Sequence, residues 1–120
     1  MKKIMIILSS LLLIVGIGYA VLSAFVIDDP TAESSNIIET KTIVSISEGT
    51  SYDIVFADAH GDYYYINRGL ERGLNLDSLN AKVLNKTVTL HLAKILGGLA
   101  TSEHISQLAV DGDIIYTEFN

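Results

Sequence analysis

The pattern of hydrophobic and polar positions divides the chain into one long apolar run and a series of short alternating segments. Residues 4–27 carry no charge. At about 1.5 Å of rise per residue they form roughly 36 Å of helix, which is enough to cross a hydrocarbon core of about 30 Å with some tilt. We therefore predict a single transmembrane anchor within residues 1–27.

The charges that flank the apolar run predict its orientation. Lys2 and Lys3 precede it, and Asp28 and Asp29 follow it. Because basic flanks stay on the cytoplasmic side of a membrane, we expect a cytoplasmic N-terminus and a C-terminal domain on the far side. In a bacterial cell this is the inner membrane, with the domain in the periplasm or outside the cell.

A cleaved secretory signal is the alternative interpretation of the same run. Gly18 and Ala20 place small residues at the −3 and −1 positions of a cut after Ala20. The apolar run continues for seven more residues, however, and signal cores are usually only about 7–15 residues long. This length favours an uncleaved anchor, and both interpretations export the domain.

Residues 28–40 are polar and contain the single proline, so they are typical of a linker. The segments that follow are rich in β-branched and aromatic residues and are separated by turn residues. They predict three strands joined by tight turns, at residues 41–47, 52–57 and 62–67. The domain is accordingly expected to occupy residues 41–120.

The period then changes from two to 3.6 residues. Leu76, Leu79, Val83 and Leu84 predict a short amphipathic helix, with Asn75 or Asp77 as N-cap. Residues 86–93 return to strict alternation. In that strand, we expect three inward side chains and three outward ones, namely Val88, Leu90 and Leu92 against Thr87, Thr89 and His91.

A glycine-containing loop is expected at 95–103, and a last strand region at 105–119 is divided by Asp111-Gly112, a hairpin or bulge signal. The resulting order, β-β-β-α-β-β, is that of an OB-like barrel, a five-stranded Greek-key barrel with its helix between strands three and four. An SH3-like barrel or an open α+β sheet gives nearly the same order. The comparison rests on element order alone and implies no function.

Composition narrows the classes of partner. Two of the eight basic residues precede the apolar run and all fourteen acidic residues follow it, so the part beyond the run has a net charge of −8. Such a surface repels nucleic acid, and we expect no nucleic-acid partner. The chain contains no cysteine, which excludes disulfides, thiolate metal sites and cysteine nucleophiles. A small exported domain without disulfides is typical of bacteria.

The densest set of possible metal ligands is Asp58, His60 and Asp62. The set lacks the calcium-loop pattern and its distal glutamate, while Asp and Gly are residues that a hairpin turn favours on backbone grounds. We interpret the segment as a turn and predict no metal and no cofactor.

The tyrosine run offers a different chemistry. On a strand, Tyr63 and Tyr65 share one face and Tyr64 takes the other, so at least one ring lies on the less buried side. Exposed rings on an OB sheet stack on sugars or bases, although tyrosine also simply suits a half-buried strand.

Arg68 and Arg72 belong to a four-residue near-repeat, RGLE-RGLN. On a helical turn their guanidiniums would lie side by side and could clamp a carboxylate or phosphate. Alternatively they pair with Glu71, Asp58 or Asp62 and fix this segment to the barrel.

No nucleophile elbow or comparable catalytic frame is present, and so small a domain leaves little room for a deep pocket. We expect no catalytic activity. The hypothesis is a membrane-anchored module that contacts an envelope protein. The alternative is binding of a small anion or glycan through a face formed by Tyr63, Tyr64, Tyr65, Arg68 and Arg72.

Overall fold

The computed structural model describes residues 2–24 and 31–119. Helix α1 (Lys2–Ala24) covers most of the predicted anchor. Its residues Lys2–Leu22 have a mean hydropathy of 2.6 and are not buried against the rest of the protein, so the helix is long and apolar enough to cross a membrane. An N-terminal signal sequence has the same properties. The predicted anchor end, residues 25–27, and the first linker residues, 28–30, lie outside the described residues.

The domain contains six strands and one α-helix within residues 31–119. Their bounds are β1 Asn36–Glu48, β2 Ile54–Asp58, β3 Tyr63–Ile66, α2 Leu76–Val83, β4 Thr87–Ile95, β5 Ala100–Val110 and β6 Asp113–Thr117. Short 3-10 turns connect several of them. The predicted order β-β-β-α-β-β is confirmed, and Asp111-Gly112, a hairpin or bulge signal in the sequence, forms a hairpin that leads into a sixth strand.

The strands close into a barrel. Strand β1 pairs antiparallel with both β2 and β4, β2 pairs with β3, and β4 pairs with β5. A parallel contact between β3 and β5, at Tyr65 and His104, completes the circuit. A closed five-stranded mixed barrel with its helix between β3 and β4 confirms the predicted OB-like architecture. Strand β6 is an addition that pairs with the second half of β5.

Side chains from the barrel strands and from one face of α2 fill the core. Helix α2 contributes Leu79 and Val83, which are almost fully buried. The alternation of β4 is confirmed, because Val88, Leu90 and Leu92 all lie inside. Other large, fully buried side chains come from β1, β2, β3 and β5, namely Ile43, Ile54, Phe56, Ile66, Ile105 and Leu108.

The boundaries that differ most from the sequence prediction are the start of β1 and the loop after β4. Strand β1 begins at Asn36 rather than residue 41, because residues 36–42 pair along β4, and this ladder satisfies their backbone groups whatever their side chains. Residues 36–40 therefore belong to the barrel and not to the linker. The predicted loop 95–103 is also shorter, since β4 continues to Ile95 and β5 begins at Ala100.

His91 faces outward on β4, as the alternation predicts, but it is buried there. Its side chain lies on the outer face of β4, yet only 7% of the residue is accessible. Phe119 packs edge-on against the imidazole with 5.3 Å between ring centroids, and Glu33 lies 4.0 Å from Nε2. Strand alternation identifies the face of a side chain, but residues beyond the barrel decide whether that face is covered.

Candidate functional site

Strand β3 presents two of its three tyrosines on the outside of the barrel. Tyr64 points inward and is buried, whereas Tyr63 is 59% exposed and Tyr65 is half-buried. On β2, Ala57 is the neighbour of Tyr63 and Val55 is the neighbour of Tyr65. The outer surface of β2 and β3 is thus an aromatic and aliphatic strip, on the face that OB barrels use for binding.

A shallow cleft of about 170 Å³ lies on this strip, and we call it the tyrosine cleft. Its lining is Gly49, Thr50, Asp53, Val55, Tyr63, Tyr64, Tyr65 and Glu103. Two of these side chains are carboxylates and none is basic. The volume is that of about six water molecules and lies below the roughly 300 Å³ at which small-molecule pockets begin, so the cleft suits one inserted side chain or ring.

A second hollow of about 280 Å³ adjoins the tyrosine cleft and shares Tyr63, Tyr64 and Glu103 with it. It extends towards β1 and the β2–β3 turn, where it reaches Glu39, Lys41 and Asp62. Together the two hollows form a continuous surface around Tyr63 on which acidic groups outnumber basic ones.

The loop between β1 and β2 holds Asp53 at the rim of the cleft. The Gly49 N–H donates to the Asp53 carbonyl at 2.8 Å, which closes the loop, and the Arg68 N–H donates to Asp53 Oδ1 at 2.8 Å. Within the loop, Ser51 and Tyr52 both have positive φ, of 53° and 67°. Tyr52 therefore lies in the turn and not in the predicted strand 52–57. The carboxylate position is set by the backbone rather than by a mobile side chain.

The turn between β2 and β3 is organised by Asp58. This residue is only 2% exposed, and its Oδ1 accepts hydrogen bonds from the N–H groups of His60 and Asp62, each at 2.9 Å. Burial acts to raise the pKa of Asp58, but these backbone donors outweigh burial and lower the pKa. The carboxylate thus holds the turn that precedes the tyrosines. No set of three metal ligands is gathered within residues 2–24 and 31–119.

Lys41 occupies the inner side of the tyrosine strand. Its Nζ lies 5.7 Å from the centroid of the Tyr64 ring, 3.4 Å from Glu39 and 3.9 Å from Asp58. Hydrogen bonding with Tyr64, and secondly the Glu39 carboxylate, raise the pKa of Lys41 despite partial desolvation. The protein therefore already places one ammonium group between a tyrosine ring and carboxylates.

The two arginines lie at the ends of a 3-10 turn after β3, and neither lines the tyrosine cleft. Arg68 donates to both oxygens of Glu71, through Nε at 2.6 Å and Nη2 at 3.1 Å. Arg72 donates from Nε to the Asn67 carbonyl at 3.0 Å. Arg68 therefore pairs with Glu71, one of the acids named in the structural alternative, whereas the Nε of Arg72 contacts a backbone carbonyl. A ligand-binding role for them stays a prediction.

A buried polar cluster that the sequence did not reveal lies behind the cleft. His104 Nε2 is 2.8 Å from Glu118 Oε2, and the Tyr116 hydroxyl donates to Glu118 Oε1 at 2.5 Å. The Glu118 side chain is 6% exposed and that of His104 is 7% exposed. The imidazole in turn packs edge-on against Tyr65, with 5.6 Å between ring centroids. The C-terminal segment thus supports one wall of the tyrosine cleft.

The environment of this cluster shifts two pKa values in opposite directions. Burial acts to raise the pKa of Glu118, but hydrogen bonds from His104 and Tyr116 lower it below the ordinary glutamate value. Burial, and secondly the hydrogen bond to Glu118, raise the pKa of Tyr116. Between the titration ranges of Glu118 and Tyr116 the cluster therefore holds one carboxylate anion and one neutral phenol.

The sequence did contain signals for the positions of Glu118 and Asp53, which the sequence analysis did not use. The hairpin register places Thr117 opposite Gln107, and Glu118 donates its N–H to the Ser106 carbonyl, two residues from His104. Element order in an OB barrel likewise brings the β1–β2 loop, which holds Asp53, beside the β2–β3 face. The signal for burial of His104 and Glu118 was absent, because burial depends on the path of the chain after β6.

A larger hollow, of about 550 Å³, lies elsewhere, between α2 and the β5–β6 hairpin. Its lining includes two lysines and two aspartates, Lys82, Lys86, Asp111 and Asp113, together with the exposed Ile114. Its positive and negative charges are balanced and its lining contains no aromatic side chain, so the lining does not favour any one class of ligand. The tyrosine cleft is the better candidate.

No protein-family model, no curated protein and no solved structure matches this chain. The geometry of the site is therefore the ground on which a function can be argued.

Proposed function

We propose that this protein is a membrane-anchored binding module that presents its tyrosine cleft to a partner in the cell envelope. Helix α1 holds the chain in the bacterial inner membrane, with the N-terminus in the cytoplasm and the barrel in the periplasm or outside the cell. The supporting features are the apolar helix with Lys2 and Lys3 before it and the acidic domain after it.

The observation that carries the proposal is the exposed ring of Tyr63 beside Tyr65 at the rim of a shallow cleft. A tyrosine with more than half of its surface in water contributes little to the core, whereas aromatic side chains are enriched where proteins bind one another. The shallowness of the cleft favours a partner that inserts one side chain over a substrate that is enclosed. The module has a binding role and no catalytic one.

A photo-reactive benzoylphenylalanine at position 63 of the full chain, expressed in cells of its own source, tests this proposal. Position 114 is the matched control, because Ile114 has the same exposed fraction as Tyr63, 59%, and lies on β6. We expect a discrete cross-linked product in the membrane fraction for position 63 alone. Equal products from both positions, or none from position 63, would refute the proposal.

A further inference from the structure

We infer that the tyrosine cleft takes a basic side chain, the ammonium of a lysine or the guanidinium of an arginine, from a polypeptide partner. This inference rests on the proposed function and specifies the chemistry of the same site. It replaces the anion of the sequence hypothesis with a cation.

The first argument is the charge of the lining. Asp53 and Glu103 flank the tyrosines, and no basic residue lines the cleft. Glu103 is exposed and forms no ion pair with any of the described residues. Asp53 is held in place by the Arg68 N–H, through a single oxygen. An incoming cation would therefore meet two carboxylates, whereas an anion would meet repulsion from both.

The second argument is the aromatic surface between these carboxylates. The face of a tyrosine ring attracts cations that lie within about 6 Å of its centroid. Tyr63 offers an exposed ring, and the carboxylates of Asp53 and Glu103 also raise the pKa of Tyr65, after burial. The rings and the carboxylates line one cleft of about 170 Å³ and can therefore contact the same ligand.

The third argument is that strand β3 already binds a cation in this way on its inner side. There, the Lys41 ammonium lies 5.7 Å from the Tyr64 centroid, with Glu39 and Asp58 as its carboxylate partners. The tyrosine cleft on the outer side offers similar groups, Tyr63 and Tyr65 with two carboxylates, whereas Lys41 lines only the adjoining hollow. A lysine from another chain would complete the equivalent arrangement.

The charge of the whole domain also favours a basic ligand. The part of the chain beyond the apolar run carries a net charge of −8, which raises the local concentration of basic segments at low ionic strength. A neutral glycan gains nothing from this field. A basic polypeptide segment is therefore the occupant that both the cleft and the molecule favour.

The test uses the full chain in phosphatidylcholine nanodiscs, whose zwitterionic surface does not itself attract basic peptides. The probes are tetralysine, tetraglutamate and the tetrasaccharide of N-acetylglucosamine. Binding is measured by calorimetry, and contact with the cleft by the NMR shifts of the Tyr63 and Tyr65 rings. We expect tetralysine alone to bind and to shift both rings.

Four variants define the contacts. Tyr63→Ala and Glu103→Gln should each weaken tetralysine binding about fivefold, since an exposed cation–π or charge contact contributes on this scale. Tyr63→Phe should bind nearly as well as wild type, because the ring face and not the hydroxyl attracts the cation. Asp113→Asn, which removes an exposed acid from β6, should change the affinity less than twofold.

The outcomes separate this inference from the proposed function. If the tetrasaccharide or tetraglutamate shifts the tyrosines and tetralysine does not, the cleft binds a partner but the cation assignment is wrong. If Tyr63→Ala and Glu103→Gln bind tetralysine as well as Asp113→Asn does, the attraction is general and the inference is again wrong. If no probe shifts the tyrosines and position 63 gives no cross-link, both proposals fail.

Discussion

Glu118 and Glu71 are two glutamates with polar contacts of similar length but in opposite environments. The Glu118 side chain is 6% exposed and accepts hydrogen bonds from His104 and Tyr116, whereas Glu71 lies at the surface, 42% exposed, with Arg68 as its partner. Removal of a buried partner leaves donors without water or acceptor, whereas an exposed pair is screened by solvent. The two positions form a matched comparison.

We predict that Glu118→Ala lowers the free energy of unfolding by about 2–3 kcal/mol, because it leaves the buried donors of His104 and Tyr116 without an acceptor. Glu71→Ala should have a far smaller effect. Denaturant unfolding of the full chain in detergent micelles, followed by far-UV circular dichroism, measures both. Equal effects of the two substitutions would contradict the structural role of the buried cluster.

Individual residues also determine how the stability of the protein responds to acid. Asp58 and Glu118 both have pKa values below those of the unfolded chain, about 3.9 for Asp and 4.3 for Glu. As the pH falls through and below these values, the unfolded chain takes up protons before the folded one does, so folding loses stability. Above them, the contribution of both groups is complete.

Thermal unfolding between pH 7 and pH 2 should therefore show a melting temperature that is steady near neutrality and falls below about pH 5. The double variant Asp58→Asn, Glu118→Gln should have a lower melting temperature at pH 7 and a flatter decline below pH 5. A decline in the variant as steep as in the wild type would show that other groups cause the acid sensitivity.

At the scale of an element, strand β4 illustrates how a pattern of two residues builds the barrel. Its neighbours on the two sides are β1 and β5, so both edges of its backbone are paired and only its faces distinguish its residues. Leu90 is fully buried, and Thr89 lies half-buried on the opposite face. Adjacent residues on one strand therefore contribute unequally to the stability of the fold.

We predict that Leu90→Ala lowers the free energy of unfolding by about 2–5 kcal/mol, the range for large-to-small changes in a packed core. Thr89→Ala, one residue away with the same backbone pairing, should cost less than about 1 kcal/mol. Denaturant unfolding measures both variants, and a shift of the midpoint without a change in the slope of free energy against denaturant reports a change in stability. A larger effect at position 89 would mean that the register of β4 is shifted by one residue.

At the scale of the whole molecule, the orientation of the chain decides which partners can reach the tyrosine cleft. The natural chain contains no cysteine, so a single cysteine reports one position without background. In intact cells, Asp113→Cys should react with a membrane-impermeant maleimide, and Lys2→Cys should react only after lysis. Labelling of Lys2→Cys in intact cells, or extraction of the full-length chain by alkaline carbonate, would contradict the predicted anchor and orientation.

The sequence determined the elements because each depends on neighbours along the chain. Alternation at 86–93 defined β4, the 3.6-residue period defined α2, and Asp111-Gly112 marked the hairpin between β5 and β6. The order of these elements favoured the OB-like barrel but also fitted an SH3-like barrel or an open α+β sheet, and the parallel contact between β3 and β5 is what distinguishes the closed barrel. The placement of Tyr63 and Tyr65 on one face follows from the same period of two.

Only the tertiary structure decided which outward side chains stay in water. His91 and Tyr63 both point away from the barrel axis, yet one is buried under Phe119 and the other is exposed. Glu118 and His104 meet because the chain continues alongside β5 after its last strand, where the Glu118 N–H donates to the Ser106 carbonyl. Contacts between residues distant in sequence depend on the global path of the chain, and no local periodicity encodes them. The acidic rim of the tyrosine cleft, on which the proposed recognition of a basic side chain rests, is such a contact.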